Sequence, residues 1–317
     1  MEQPQLIERL PDPSALGSRA IVGRHRLCQQ GLFDDSTLKA LLDEYPRQRL
    51  QAFTMGTDAL RWKEWEPVDT GSMRGEDIFQ AVIAGRLWLN ILRVDLFDER
   101  YRQLIEQLYV DLAALSPQLE PVLTEGTLLI SSPHAMVYYH ADATANILWH
   151  IRGQKRIWIY PACDFRFISQ ELMEDIFASV MDEEVPYEEH FDQHALTFDL
   201  QPGDVVSWPL NAPHRIVNAG MVNVSLSTYH QSEATERRKL IYLANRFFRR
   251  TLHLPMRSIK ETGPAAASKR LLYRAYRRAG LVPPPPGHQY LASLTIDPTT
   301  PMGVVPLPTP RKAAFST

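Results

Sequence analysis

Met136-Val137-Tyr138-Tyr139-His140-Ala141-Asp142-Ala143-Thr144-Ala145-Asn146-Ile147-Leu148-Trp149-His150-Ile151-Arg152-Gly153-Gln154-Lys155 is the stretch whose reading decides the fold. Its apolar runs are short and rich in β-branched and aromatic residues, which suits strands rather than long helices. Gly153-Gln154 sits between Asn146–Ile151 and Arg156–Tyr160 and marks a hairpin turn. His140 and Asp142 stand two residues apart, so on an extended strand both side chains point to one face. His214 follows seventy-four residues after His140, behind Pro202-Gly203-Asp204 and Pro209-Leu210-Asn211-Ala212-Pro213. Two imidazoles and one carboxylate suit one face of an iron(II) coordination sphere, with the remaining positions open to reagents. A structural metal knot closes its sphere with protein ligands, often thiolates. This chain has only Cys28 and Cys163, far apart and without zinc or redox spacing.

Outward from this stretch, further strands are expected at Leu128–Ile130, Ala195–Phe198, Val205–Trp208, Arg215–Val217 and Val222–Tyr229. Many short strands interrupted by one helical insertion imply an antiparallel sandwich or barrel. The expected organisation is a mixed, mainly helical region over 1–126, a barrel over 127–230 with an acidic helical insertion near 170–192, basic helices over 231–280, and a proline-rich, extended tail over 281–317. Asp34-Asp35-Ser36 before Leu38, Leu41 and Leu42 predicts a capped helix start. Tyr101, Leu104, Ile105, Leu108 and Leu112 predict a second helix.

The sequence contains a competitor. His190-Phe191-Asp192 is a second His-x-Asp, and His190 with His194 has the i,i+4 spacing of a helical metal pair. It lies in an acidic stretch that reads as a solvated insertion, without the surrounding strands that accompany His140. His150 is expected to face the barrel with Asn146, Leu148 and Arg152, as a satisfied core histidine rather than a fourth ligand.

At 317 residues, with 44% hydrophobic and 22% charged residues, the chain is an ordinary globular one that can bury a large core. No signal peptide is evident, and no run nears the roughly 18 apolar residues of a membrane span. The cysteine usage suits a cytoplasmic protein. A net charge of −3 hides an asymmetry: Gln231–Gly280 holds thirteen Lys and Arg against three Glu, a balance of +10, so the rest sums to −13. Such a block is either the solvated face of amphipathic helices or a surface for an acidic partner, nucleic acid included.

His140-Ala141-Asp142-Ala143-Thr144-Ala145-Asn146, then Gly153-Gln154-Lys155-Arg156, then Pro202-Gly203-Asp204-Val205 through His214 together resemble the JmjC and cupin-like iron(II)/2-oxoglutarate oxygenases, in particular the small protein hydroxylases of that class. The resemblance covers about 127–229. It implies a double-stranded β-helix with helical flanks, His140, Asp142 and His214 as iron(II) ligands, and 2-oxoglutarate and dioxygen as cosubstrates. It places Lys155 at the cosubstrate's distal carboxylate, where a lone lysine would read as a solvent-facing hairpin residue. Asn146 falls at a position that either contacts the cosubstrate, orients a ligand or satisfies a barrel edge. Tyr138, sharing strand parity with His140, either reaches the cosubstrate or keeps a wet hydroxyl over a buried ring. The chain departs from some relatives, which carry a threonine shortly before His140 and an asparagine at the position of Ser227.

The implied reaction is hydroxylation with release of succinate and carbon dioxide. A protein or peptide side chain is the leading substrate, and Trp62, Trp65 and Trp88 are candidates to line its groove or to anchor the core. A modified tRNA base, approached through the basic C-terminal helices, is the alternative, and a non-catalytic cupin-like binding protein is the rival of a different class. Methyl-lysine demethylation is a third enzymatic option. The apolar residues Leu240, Leu243, Phe247, Leu271, Leu272 and Tyr276 imply that these helices pack on the barrel or form a homodimer.

Overall fold

The computed structural model describes residues 5–61, 63–285 and 289–316. Trp62 and Pro286 therefore lie outside the described residues.

The N-terminal region supplies β1 (Ile7–Arg9), β2 (Ile21–His25), α1 (Asp35–Glu44), β3 (Leu50–Thr54), β4 (Glu66–Asp69), α2 (Gly75–Ala84), β5 (Leu87–Leu92), α3 (Val94–Phe97) and α4 (Glu99–Leu115). The central region follows with β6 (Leu123–Ser131), β7 (Met136–His140), β8 (Ala145–Arg152), β9 (Lys155–Ile159), α5 (Gln170–Phe177), β10 (Leu196–Leu200), β11 (Asp204–Ser207), β12 (His214–Asn218) and β13 (Asn223–Gln231). The chain ends with α6 (Glu233–Arg250), α7 (Pro264–Arg278), β14 (Gln289–Ile296) and β15 (Val304–Ser316).

β6 to β13 alternate between two facing sheets, except that β9 and β10 follow each other in the smaller one. The larger sheet contains the order β11-β8-β13-β6, and the smaller has the order β10-β9-β12-β7. That alternation is the double-stranded β-helix, as expected, although the sheets face each other rather than closing into one hydrogen-bonded barrel. Between them lies a core of Leu148, Ile157, Ile159, Leu200, Val206, Trp208 and Ile216. Each such side chain, fully buried, stabilises the sandwich by about 2 kcal/mol. The hairpin between β8 and β9 turns at Gly153, whose φ of +88° is costly for any residue with a Cβ.

The larger sheet extends beyond the β-helix to eleven strands. β2 pairs with β11 on one side, and β5 pairs with β6 on the other, followed by β3 and β4. The region 1–126 thus contributes strands β1 to β5 to this sheet as well as helices α1 to α4. β5 shows why: Leu87, Leu89 and Ile91 are buried in the core, while Trp88, Asn90 and Leu92 face the opposite side. That period of two is a strand's. Helices α1, α2 and α4 cover the outer face of this sheet, with Leu38, Leu41, Leu42, Ile78, Val82, Leu104 and Leu108 in one core with Leu128, Ile147 and Leu226.

The proline-rich tail, expected to be extended, is paired into the sheet. β14 pairs in parallel with β4, and β15 forms the outer edge of the sheet. Pro306, Pro308 and Pro310 are tolerated there because an edge strand has free positions where no N–H is required.

The C-terminal helices form where the sequence places them. Ser232 caps α6 in a reciprocal capping box with Thr235. Much of their positive charge is engaged within the chain: Arg246 and Arg250 pair with Asp175, Arg249 with Glu171 and Glu174, Arg238 with Glu261, and Arg237 with Glu233. The basic α6 therefore neutralises the acidic α5. No helix among the described residues is long and apolar enough to cross a membrane.

Candidate metal centre

β7 ends at His140 and β12 begins at His214, and the two residues face each other across the antiparallel pair. Their rings lie 4.1 Å apart, centroid to centroid. The strand has ended before Asp142, so the carboxylate reaches the site from the turn that follows. One oxygen lies 3.8 Å from His140 Nε2 and the other 3.5 Å from His214 Nε2. One ligand atom from each of the three residues falls within 4.8 Å of the others, the single such group among the described residues.

Both imidazoles are oriented through their other nitrogen. His140 Nδ1 lies 2.7 Å from the Tyr138 carbonyl and His214 Nδ1 lies 3.1 Å from the Ala212 carbonyl. A carbonyl only accepts, so each Nδ1 carries the proton and each Nε2 lone pair is turned toward Asp142. This is the tautomer a metal requires. Burial holds His214 well below the usual imidazole range, with His140 adding to the effect. Burial also raises Asp142, against the opposing influence of His140 and the hydrogen bond from Asn146. Two imidazole Nε2 atoms turned toward one buried carboxylate form a donor set that a divalent ion completes.

Asn146 donates from Nδ2 to Asp142 Oδ2, while its buried Oδ1 has no partner. Asn211, which the sequence reading did not single out, donates to the Asp142 carbonyl at 2.7 Å and braces the ligand-bearing turn. Trp208 packs against the His214 ring at 4.5 Å.

A cavity of about 380 Å³ opens over the triad. Its inner wall is Leu129, Val137, Leu148, Ile216 and Ser227. Phe53, Met55, Trp65 and Trp88 come from the N-terminal region, and Tyr290 from the C-terminal hairpin. Asp182, Glu183 and Glu184 come from the insertion. One expectation changes here. The insertion was expected to be solvated, but 182–185 runs beside the ligand-bearing strand: Ala141 N donates to the Glu183 carbonyl and Val185 N to the Tyr139 carbonyl. Burial pushes the Glu183 and Glu184 carboxyls up to about 7, with Asp142 adding to the rise at Glu183. Nor is the tail a bystander, since Tyr290 donates to Asp182 at 3.0 Å.

Tyr138 is not on His140's face. A register shift between β7 and β12 breaks the alternation, so Val137 and His140 line the cavity while Tyr138 packs with Phe53, Met55 and Phe315. Its hydroxyl accepts from Gly56 N at 2.8 Å, and a Cβ on Gly56 would sit only 2.4 Å from that oxygen. Its role is to pin the N-terminal loop.

Lys155 faces inward on β9 with Ile157 and Ile159, opposite Asn218, whereas His214 is opposite Ile159. It therefore lies four residues along the strand from the triad, and does not itself line the cavity. It borders a shallower pocket at the far end, with Arg156, Asp199 and Asn218. Nζ donates to Ser225 Oγ at 3.0 Å, and burial pushes the ammonium down to about 7. His150 is a satisfied core histidine, bonded to Ser225 and the Gly153 carbonyl. Arg152 instead pairs outward with Asp35, where the β8–β13 register shifts.

The second His-x-Asp is placed quite differently. Glu189–His194 forms a 3-10 turn, in which positions i and i+3 align and i and i+4 do not. His190 is exposed beside Glu188, and His194 packs on Phe167. Asp192 accepts from Tyr160, Tyr187 and Arg215.

Residues 84–236 match the family model described as a cupin-like domain. The matched stretch spans β5 to the start of α6 and includes all three triad residues. No curated protein matches the chain in sequence. Among solved structures, it is similar to YcfD, a ribosomal oxygenase from Escherichia coli, in complex with cobalt and 2-oxoglutarate. That match has a TM-score of 0.49 and 14% identity, over 87% of this chain and 68% of that one. YcfD in complex with cobalt and succinic acid gives 0.46 and 14%, over 87% and 68%. The DMSP lyase DddQ from Ruegeria pomeroyi DSS-3 gives 0.23 and 13%, over 35% and 39%.

Proposed function

We propose that this protein is an iron(II)- and 2-oxoglutarate-dependent dioxygenase that hydroxylates a protein or peptide side chain. The observation that carries the reading is the convergence of His140, Asp142 and His214 within 4.8 Å at a cavity, with both Nδ1 atoms tied to backbone carbonyls. Three protein ligands on one side leave positions open for reagents, which separates a catalytic site from a closed structural one.

The chemistry supplied by such a bound metal and cosubstrate is oxidative decarboxylation of 2-oxoglutarate to succinate and carbon dioxide, coupled to insertion of one oxygen atom into a substrate C–H bond. The chain's own residues bind, orient and exclude water. His140, Asp142 and His214 hold the ion, and Asn146 fixes the carboxylate that faces it. Lys155 is assigned to the distal carboxylate of 2-oxoglutarate: its ammonium is buried, and Ser225 is its hydrogen-bond partner among the described residues. An anionic partner restores the charged form that burial disfavours. Leu129, Val137, Leu148 and Ile216 keep the inner cavity dry.

Anaerobic titration with iron(II) and 2-oxoglutarate, followed by succinate measurement in air, tests the reading. Both ligands bind and succinate forms in wild type, and His140→Ala and Asp142→Ala abolish turnover. Intact iron-dependent turnover in either variant removes the assigned site. Binding without succinate formation, even with substrate candidates present, favours the non-catalytic alternative.

A further inference from the structure

We infer that His150 and Ser225 are positioning residues for Lys155. They form a one-way hydrogen-bond chain, from Lys155 to Ser225 to His150 to the Gly153 carbonyl. The chain obliges Ser225 to accept from the ammonium, and leaves the other ammonium N–H groups for an anionic ligand. The inference rests on the dioxygenase reading for the identity of that ligand, 2-oxoglutarate, and on the buried chain alone for its direction.

The three side chains come from three strands. His150 on β8 and Ser225 on β13 are register partners in the larger sheet, and Lys155 reaches them from β9 of the smaller one. Ser225 stands two residues along β13 from Ser227, which lines the cavity. His150 and Ser225 are fully buried. Lys155 Nζ lies 3.0 Å from Ser225 Oγ, which lies 3.1 Å from His150 Nδ1. His150 Nε2 lies 3.0 Å from the Gly153 carbonyl. The direction is set at that far end. A carbonyl only accepts, so Nε2 carries the proton. Burial holds His150 down to about 3, with the Lys155 ammonium adding to the effect, so the ring is neutral and Nδ1 keeps a lone pair. That lone pair takes the Ser225 proton. Ser225 Oγ then turns only lone pairs toward Lys155, which suits an ammonium with three donors and no acceptor. A serine hydroxyl without such a partner rotates, and can donate to a neutral amine instead.

The elements packed against Lys155 leave the task to this chain. β10 offers Leu200, and β12 offers Asn218, whose Nδ2 is committed to Ser131 and Ser132. β8 and β13 offer neutral His150 and Ser225. Beyond His150 stands His25 on β2, which burial holds neutral, down to about 4. Burial alone moves the Lys155 ammonium, and Ser225 Oγ is the acceptor it has among the described residues. The anchor of the chain is fixed as well. The His150 carbonyl accepts from Gly203 N at 2.8 Å and from His25 Nε2 at 3.0 Å, and His25 Nδ1 accepts in turn from Leu27 N. Gly153 has a φ of +88°, and a Cβ there would meet the Val222 carbonyl at 2.6 Å. Only glycine presents its carbonyl to His150 in that turn.

Heteronuclear NMR of the full chain carrying nitrogen-labelled histidine reads the direction without metal or cosubstrate. His150 is expected as the neutral ring protonated at Nε2 around neutral pH, and a proton on Nδ1 overturns the proposal. Anaerobic calorimetric titration of 2-oxoglutarate into the iron(II)-loaded chain reads the consequence. Above about pH 7 binding takes up a proton at Lys155, so wild-type affinity is expected to fall about tenfold per pH unit. His150→Leu frees the Ser225 hydroxyl to donate to the amine. It is expected to weaken 2-oxoglutarate binding about tenfold near neutral pH and to start that fall at lower pH, with iron(II) affinity unchanged. His150→Gln, which offers both an acceptor and a donor, is expected to restore most of the affinity. Ser225→Ala is expected to lose it and Ser225→Thr to keep it. Thermal unfolding identifies the folded samples, and the Ser225 pair decides if His150→Leu does not fold. Unchanged affinity and pH dependence in the folded variants, or a loss of iron affinity equal to that of 2-oxoglutarate affinity, overturns the proposal. So does a folded His150→Gln as weak as His150→Leu, which marks a packing role. A wild type that binds no 2-oxoglutarate sinks the dioxygenase reading and the ligand assigned here, whatever the tautomer. A wild type that binds it, with variants unchanged, sinks only the chain.

Discussion

His140-Ala141-Asp142 and His190-Phe191-Asp192 share a local pattern and have opposite fates. At the first, the histidine is anchored by a carbonyl, and the buried carboxylate faces two lone pairs with no cation to meet it. At the second, the histidine is exposed and the aspartate is fully engaged. Burial raises the Asp192 carboxyl, but the hydrogen bonds from Tyr160, Tyr187 and Arg215 outweigh it and hold the group below its usual range. The Arg215 guanidinium is itself sandwiched, 3.6 Å above Trp158. The difference lies in what remains unsatisfied. A structural cluster closes its own accounts of charge and hydrogen bonding, whereas a binding site leaves buried groups that only a ligand completes.

The comparison breaks most sharply at the two aspartates. Asp142→Ala is expected to weaken iron(II) binding by more than about a hundredfold, beyond the loss typical of an outer-shell partner, as read by anaerobic titration. Thermal stability without metal should rise or stay level, because the variant removes a buried carboxylate whose charged form is disfavoured. Asp192→Ala should do the opposite. It strands the buried Arg215 and costs about 2 kcal/mol of stability, read by denaturant unfolding, while leaving iron affinity unchanged. Equal losses of iron affinity in the two variants would erase the distinction.

Lys155 sharpens the same contrast through pH. Its folded-state pKa of about 7 lies below the ordinary 10.5. Between these values the unfolded chain holds a proton that the native chain has released, so stability rises with pH. Relative to Lys155→Met, the wild type should gain roughly 1 kcal/mol per pH unit from pH 7 toward 10, as chemical denaturation at each pH reads it. Iron and 2-oxoglutarate should flatten that slope by supplying the missing carboxylate. A slope unaffected by the cosubstrate places the distal carboxylate elsewhere.

The clustering of His140, Asp142 and His214 was legible because the two histidines sit at the ends of short strands and Asp142 in the turn that follows one of them, where residue type and spacing carry the chemistry directly. The strand parity of Tyr138 with His140 was misread because a bulge between paired strands leaves no mark in one strand's own sequence. Asp182, Glu183 and Glu184 were noticed only as charge, since their placement depends on backbone pairing with Tyr139 and Ala141, distant in sequence. The tail was read through its prolines as extended, and its pairing left no signal, because an edge strand accepts proline where a central one does not. Tyr290 in particular had no sequence signal, because its function arises from contacts with Asp182, Phe53 and Trp65.

The smallest expected effect is at His190. Its ring is exposed, its partner is the equally exposed Glu188, and its i,i+4 companion His194 is turned away on a 3-10 repeat. An exposed ion pair contributes little, so His190→Ala should change stability by less than about 0.5 kcal/mol and leave iron affinity at the wild-type value. The measurement is worthwhile because His190 shares the His-x-Asp pattern of His140 and differs from it only in its surroundings. A tenfold drop in iron affinity on its removal would mean that burial and tautomer do not distinguish the two segments. A flat result assigns metal binding to the segment whose carboxylate the protein leaves without a cation.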